Sequence, residues 1–469
     1  MTLLIRNGRI VTAVEDGVAD VLVGDDGRIQ AIGRDLLAPA GTPVRDATGL
    51  LVLPGAVDVH THLEMATPTA RTVDTFATGT RAAAFGGTTT VLDYCTPTPG
   101  QHPLQALHDW QRLAERACVD VGAHLILLNA EPAALGDLPA LVHEHGVSSF
   151  KLFMAYPGSL MVDDGAMFKA LRAAADVGAL TCVHAENGAV IQALVDEALA
   201  QGHTGPRWHA LTRPAIAEGE AAQRAITLAQ AAGAPLYVVH LSTAEALAAV
   251  SAARQRGQAV FAETCPQYLF LDAREYDRPG FDAAPFVMSP PLRDAHHGPQ
   301  LWQGLQRGDL QVVATDHCAF NHRAASAGLP CSKELGLERF TRIPNGAPGV
   351  ETRLSLMQDV AVVRRGLSLN RLVEWTATAP AKMFGLFPRK GTVAVGSDAD
   401  LVLFDPGQRW TVRAAEHHSA VDHSLYEGRE LTGRVRQVYL RGQCIVDGDR
   451  WLGREGQGRY LPRGPSGRP

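Results

Sequence analysis

Apolar and polar positions alternate with two different periods along the chain. Near the start, Leu3-Leu4-Ile5-Arg6 and Arg9-Ile10-Val11 flank Asn7-Gly8, a pair that favours a tight turn between strands. Asp20-Val21-Leu22-Val23 and Arg28-Ile29-Gln30-Ala31-Ile32 repeat the theme around Asp26-Gly27. Towards the other end, Asp400-Leu401-Val402-Leu403-Phe404 and Val435-Arg436-Gln437-Val438-Tyr439-Leu440 read the same way, the second running into a turn at Arg441-Gly442. Neither set is long enough to enclose a core alone. The pattern therefore predicts one composite β-sandwich built from residues 1–53 and 387–469.

Between residues 54 and 386 the period changes. Short apolar strands alternate with Ala- and Leu-rich stretches of helical period, such as residues 103–116, 166–175 and 219–232. Strand-helix alternation over this length predicts a parallel α/β core, most economically a (β/α)₈ barrel of the TIM type. The Gly- and Pro-rich end, residues 463–469, reads as a loose tail.

Composition narrows the class without changing this picture. A chain of 469 residues outgrows a single core, and 46% hydrophobic residues exclude disorder throughout. A net charge of −6 offers no electrostatic footprint for nucleic acid or an anionic membrane. The longest apolar runs, residues 235–239 and 399–404, fall far below the ~20 needed to span a bilayer. Met1-Thr2-Leu3-Leu4-Ile5-Arg6 lacks the basic-then-apolar pattern of a secretory leader. Seven dispersed Cys with no CxxC pair suggest reduced thiols and a cytoplasmic location, and no disulfide scaffold.

The chemistry lies where the apolar runs end. Ala56-Val57-Asp58-Val59 runs into His60-Thr61-His62, Ser149-Phe150 into Lys151, and Leu180-Thr181-Cys182-Val183 into His184. Pro235-Leu236-Tyr237-Val238-Val239 runs into His240, and Gln311-Val312-Val313-Ala314-Thr315 into Asp316. In a parallel barrel the C-terminal strand ends share one face, where active sites are built, so these residues would converge. His60 and His62, two apart on a strand, face the same side and can chelate one ion. Imidazoles with a carboxylate suit Zn²⁺, ahead of Mn²⁺, Co²⁺ or Fe²⁺. Four His and one Asp neutralise two divalent ions poorly, and an anionic bridge would help. Lys151 can supply one if CO₂ converts its amine to a carbamate. The remaining His, including His102, His143, His203 and His417, lack this context and read as surface residues. No GxGxxG, Walker A, HExxH or GxSxG motif competes.

Eight segments then carry a resemblance. They are Leu53-Pro54-Gly55-Ala56-Val57-Asp58-Val59-His60-Thr61-His62, Phe150-Lys151-Leu152-Phe153-Met154-Ala155-Tyr156, His184-Ala185-Glu186-Asn187-Gly188, Val239-His240-Leu241-Ser242, Glu263-Thr264-Cys265-Pro266-Gln267-Tyr268, Met288-Ser289-Pro290-Pro291-Leu292-Arg293, Thr315-Asp316-His317-Cys318 and Ile343-Pro344-Asn345-Gly346. In this order they resemble the dihydropyrimidinase/hydantoinase family of cyclic amidohydrolases, with likeness continuing through Lys382-Met383-Phe384-Gly385-Leu386 and Gly396-Ser397-Asp398-Ala399-Asp400-Leu401. The resemblance implies a (β/α)₈ barrel with a composite β-sandwich, a binuclear zinc centre bridged by a carboxylated lysine, and a homotetramer. It assigns His60, His62, Lys151 and Asp316 to the more buried metal, and Lys151, His184 and His240 to the other. Tyr156, Ser289 and Asn345 match substrate-contacting positions, the last two acting largely through backbone groups.

The implied reaction is attack of a hydroxide held between the metals on a ring carbonyl. Asp316 would carry its proton to the leaving nitrogen, and Tyr156 would donate to the oxyanion. By resemblance of their loops, Met65, Thr67, Phe153 and Leu160 would line the pocket for a ring substituent. Dihydroorotase-like relatives carry an Arg just after the His-x-His segment, whereas here Glu64 would repel a substrate carboxylate. Arg71 nearby keeps an allantoinase-like enzyme open. Non-catalytic members of the family have lost ligands, and this chain keeps all six. Residues 322–333 read as a surface insertion, with a lid as the alternative.

Overall fold

The computed structural model describes residues 2–67, 69–328 and 330–467. At its centre is an eight-stranded sheet in which each strand pairs parallel with the next along the chain. In order the strands are Ala56–Thr61, Thr88–Cys95, Asp120–Ile126, Ser149–Phe153, Leu180–His184, Leu236–Val238, Val260–Thr264 and Val312–Val313. Every residue in them is buried, as parallel strands covered on both faces require. The first and last meet where Thr61 bridges His317 and the His62 N–H donates to the His317 carbonyl at 2.8 Å. The sheet thereby curls into the expected barrel.

The helices between the strands begin and end on local signals. Thr75 and Thr78 cap the start of Phe76–Phe85 reciprocally, while Asp163, Asn187 and Thr243 each accept from a backbone N–H three residues on. Gly233 and Gly308, at φ 67° and 82°, close Ala215–Ala232 and His297–Arg307 in the left-handed region that glycine tolerates best. The expected helical stretches correspond to Pro103–Ala114, Asp164–Asp176 and Ala215–Ala232.

A buried guanidinium braces the closure. Arg353, wholly inaccessible, donates at 3.0 Å to the carbonyls of Val57 and Val313 in the first and last strands, and at 3.2 Å to Thr88 Oγ1 in the second. Its charge faces Asp58 at 3.7 Å, and Asp58 in turn accepts from Thr315 through both the N–H and the hydroxyl. Because Thr315 precedes Asp316, this brace also seats the last of the expected ligands. Arg353→Met is expected to cost about 3–5 kcal/mol of stability by leaving buried acceptors and Asp58 unmatched. A shift in denaturation midpoint would measure it.

The two ends of the chain meet in a second, mostly antiparallel sheet of nine strands. Leu51–Pro54, from the N-terminal part, pairs with Leu401–Thr411. Leu3, Ile5, Val21 and Val52 share one apolar cluster with Leu401, Leu403 and Tyr439. Two expectations fail here for visible reasons. Asn7-Gly8 does not turn the chain: Leu3–Val11 is one strand, and the irregularity is a bulge between Ile5 and Gly8 with Asn7 at φ 61°. Nor is the tail loose up to its last described residue. Arg463 is buried and donates to the Ala123 carbonyl and Ser149 Oγ, while Gly464 and Gly467 donate to the Gly385 and Lys382 carbonyls. The end of the chain thus underpins the strand that carries Lys151; Arg468 and Pro469 lie outside the described residues.

Candidate metal centre

The six expected ligands come from five of the eight strands and gather at the barrel mouth. His60 lies in the first strand, Lys151 in the fourth and His184 at the end of the fifth, while His62, His240 and Asp316 follow the first, sixth and eighth. Asp316 Oδ1 stands 3.2 Å from both His60 Nε2 and His62 Nε2. His184 Nδ1 and His240 Nε2 lie 2.9 Å apart, two nitrogens converging on one point. His60, His240 and Asp316 each offer a ligand atom, all within 4.8 Å of one another. The chain leaves the ordinary backbone regions to achieve this. His240 and Asp316 sit at φ 37° and 52°, and Tyr156 at φ 66°, a local cost that packing must offset.

The donor set fits divalent cations better than it fits itself. His60 Nε2, His62 Nδ1, Lys151 Nζ and His240 Nδ1 are buried without a hydrogen-bond partner among the described residues, an arrangement that is expensive unless something else meets them. Burial holds His60 and His240 well below the usual imidazole range, so both present neutral nitrogens. Burial raises the Asp316 carboxyl, but His60 and His62 outweigh it and keep the group ionised. Burial also lowers the Lys151 ammonium to about 8. Lys151 Nζ lies 4.6 Å from the Tyr94 centroid and 5.1 Å from that of Phe153.

Acidic residues behind the ligands fix the imidazoles. Glu263 takes His60 Nδ1, the His240 N–H at 3.1 Å and the Tyr237 hydroxyl at 3.0 Å. Burial raises its carboxyl to about 8. Glu186 Oε2 meets His184 Nε2 at 2.9 Å, and Arg293 stands 3.8 Å from its other oxygen. Arg293 continues to Glu218 at 2.8 Å and to Ser242 Oγ at 3.0 Å, binding the exit of the His240 strand into the same network. Such partners set ring orientation and ligand basicity at metal sites. Sequence reasoning gave none of them a role, although Glu263 ends an apolar run just as the ligands do. Glu186 had only its nearness to His184 to signal it. Tyr94, which stacks against His62 at 5.1 Å between centroids, was missed too.

Tyr156, Ser289 and Asn345 are brought together beside the expected ligands. Burial raises the Tyr156 phenol, and hydrogen bonds with Ser289 and Asn345 only partly offset it, so it stays protonated. The Tyr156 ring lies 5.5 Å from that of His184. The Ser289 carbonyl and the Asn345 N–H make no hydrogen bond among the described residues, leaving an acceptor and a donor open. Phe153 and Leu160 share an apolar cluster with Tyr94, Ile126 and Tyr156. Met65 belongs to a different one, with Ala70, Cys318 and Phe320, and Thr67 is exposed.

Three expectations change. Glu64 cannot act as a free repelling charge, because it accepts from the Phe76 N–H at 3.1 Å and faces Arg71 at 3.5 Å. Each neutralises the other, so neither marks a substrate carboxylate. Not all remaining His are surface residues: His124, His209 and His317 are buried, and His203 and His417 half-buried. His317 accepts from Gly349 N–H and bonds Asp74 at 3.0 Å, steadying the turn that carries Asp316. The segment 322–333 is a surface insertion only in part, since Ser332 and Lys333 are wholly buried.

Known proteins are similar to this chain over nearly its whole length. The model of the amidohydrolase family matches residues 51–445. A D-hydantoinase from Streptomyces coelicolor is 47% identical over 470 residues, covering 98% of this chain and 97% of the relative. One from Geobacillus stearothermophilus is 45% identical, covering 100% and 98%. The crystal structure of a dihydropyrimidinase from Brevibacillus agri superposes with a TM-score of 0.97 at 45% identity, covering all of both chains.

Proposed function

The chain belongs to the amidohydrolase family, within its hydantoinase and dihydropyrimidinase group, and from that premise we propose that it hydrolyses one ring amide of 5-substituted hydantoins and of dihydropyrimidines. Among hydantoins, the names of the relatives favour the D configuration. One observation carries the reading: Tyr156, against the His184 ring of a buried set of metal-type donors, also meets Ser289 and Asn345, whose open carbonyl and N–H are the pair that an imide edge complements.

Two divalent ions, Zn²⁺ first on donor chemistry, would be held by His60, His62, Lys151 and Asp316 and by Lys151, His184 and His240. Lys151 would act as the carbamate that links them. When bound, the ions supply Lewis acidity and an acidified water. The chain's own groups do the rest. The Ser289 carbonyl accepts the ring N–H and the Asn345 N–H donates to a ring carbonyl, which fixes the ring's orientation. Tyr156 donates its phenol proton to the oxygen that becomes anionic on attack. Asp316, ionised, takes a proton from the attacking water and returns it to the ring nitrogen as the C–N bond breaks. Water adds across that bond and leaves a carboxylate and an N-carbamoyl amine. Phe153 and Leu160 offer an apolar wall to the 5-substituent.

A cytoplasmic, homotetrameric enzyme completes the reading, the location supported by seven unpaired cysteines and the assembly by the family resemblance. None of the described helices is long and apolar enough to cross a membrane. A panel of D- and L-5-phenylhydantoin, dihydrouracil, allantoin and dihydroorotate, run before and after chelation with metal analysis, tests the proposal. Turnover of the first and third, lost on chelation and restored by Zn²⁺, is expected. Turnover of allantoin alone, or activity indifferent to metal removal, would sink it.

A further inference from the structure

The chain has only five lysines, and three are buried. Lys151 lies in the metal centre and Lys390 among Asp120, Asp398 and Asp400. Lys333 has no carboxylate within ion-pair distance among the described residues. Its Nζ instead donates three hydrogen bonds, each 2.9 Å, to the carbonyls of Val287, Pro344 and Gly346. An ammonium buried against neutral acceptors alone is costly, and a hydrophobic side chain would fill the space more cheaply. What the amine does is join two segments.

Those segments carry the edge that faces the ring. Val287 lies two residues before Ser289, and Pro344 and Gly346 flank Asn345. The Gly346 N–H also reaches the Val287 carbonyl at 3.1 Å, so the segments are tied directly as well as through Lys333. Their approach is tight: Gly346 sits at φ 152°, and a Cβ there would stand 2.3 Å from the Cys318 carbonyl oxygen. The Pro344–Asn345 peptide is not among the cis bonds of the chain. In a planar trans peptide the N–H points opposite to the C=O, so seating the Pro344 carbonyl on Lys333 sets the direction of the Asn345 N–H. Lys333 itself arrives fixed, its N–H donating to the Asn321 carbonyl at 2.8 Å.

We propose that Lys333 is a positioning residue for ring opening, its ammonium clamping residues 287–289 and 344–346 into one rigid edge that orients the substrate's imide. The inference rests on the ring-opening reading above. It makes Lys333 a determinant of ring binding common to all substrates, blind to the 5-substituent.

The test compares metal-loaded wild type with Lys333→Met, which removes the donors, and Lys333→Gln, which retains two. With D-5-phenylhydantoin and dihydrouracil, KM in Lys333→Met rises about tenfold or more for both, while kcat falls less than about threefold and the ratio between substrates holds. Lys333→Gln falls between. Metal content stays full, and amide hydrogen exchange accelerates at residues 287–289 and 345–347 but not in the nine-stranded sheet. A purely structural role would lower thermal stability without moving KM, and that result overturns the proposal. So does failure of both variants to fold, which would assign Lys333 to folding alone. If wild type opens neither ring, the ring-opening reading falls by itself. Exchange at the two segments then decides the clamp, and unchanged rates overturn it.

Discussion

Lys151→Ala is expected to empty the enzyme of metal and abolish turnover while leaving the fold intact, and a short-chain carboxylic acid is expected to restore part of both. Lys151 Nζ is fully buried and has no hydrogen-bond partner among the described residues, with aromatic faces at 4.6 and 5.1 Å. A bare ammonium there would stay poorly compensated. Addition of CO₂ to the amine releases a proton and leaves one negative charge shared by two oxygens beside the expected ligands. Carbamate formation needs the neutral amine, and burial brings the ammonium down to about 8, far more accessible than an ordinary lysine. Ala removes the bridge but leaves a space that acetate or propionate can enter with the same charge. Loss of an outer partner alone costs ~10–100-fold in metal affinity, so loss of a shared ligand is expected to exceed that. Metal analysis of the purified variant, with and without added acid, measures the effect. Full occupancy without acid would contradict the bridge.

What could be seen in the sequence depended on the distance over which each signal acts. His60 and His62 announce themselves because two residues on one strand share a face, a rule with a range of two. The barrel was legible from strand-helix alternation, while its closure rests on the bridge from Thr61 to His317. Asn7-Gly8 misled because the same dipeptide serves a hairpin turn or a bulge, and only the partner strand Asp16–Val23 decides which. Glu263 acts on His60 across 203 positions, and no local pattern encodes that pairing. Lys333 is the sharpest case. Its neighbours, Ala324–Ala327, lie on the surface as the segment's composition suggests, yet Lys333 turns inward to carbonyls that carry no side-chain signature at all. Polar groups recruited by backbone atoms are invisible to residue patterns. Glu64 is a related case: a carboxylate's sign is plain in the sequence, but its pairing with Arg71 and the Phe76 N–H is not.

Asp316→Asn is expected to lower kcat by ~10²–10⁴-fold with KM within a few-fold of wild type, the signature of a proton carrier rather than a binding group. Asn keeps the shape and one oxygen of Asp316, so the contacts at 3.2 Å to His60 Nε2 and His62 Nε2 can persist. It cannot accept a proton from water or return one to nitrogen. The backbone supports this division of labour. Asp316 is held at φ 52° by a turn whose neighbours are locked, Thr315 by Asp58 and His317 by Asp74 and Gly349. A carboxylate placed so firmly can shuttle a proton between two fixed points. Because Asp316 is also an expected metal ligand, metal content must be measured in the same preparation. Full metal with collapsed kcat isolates the proton transfer. Full metal with undiminished kcat would take that role from Asp316.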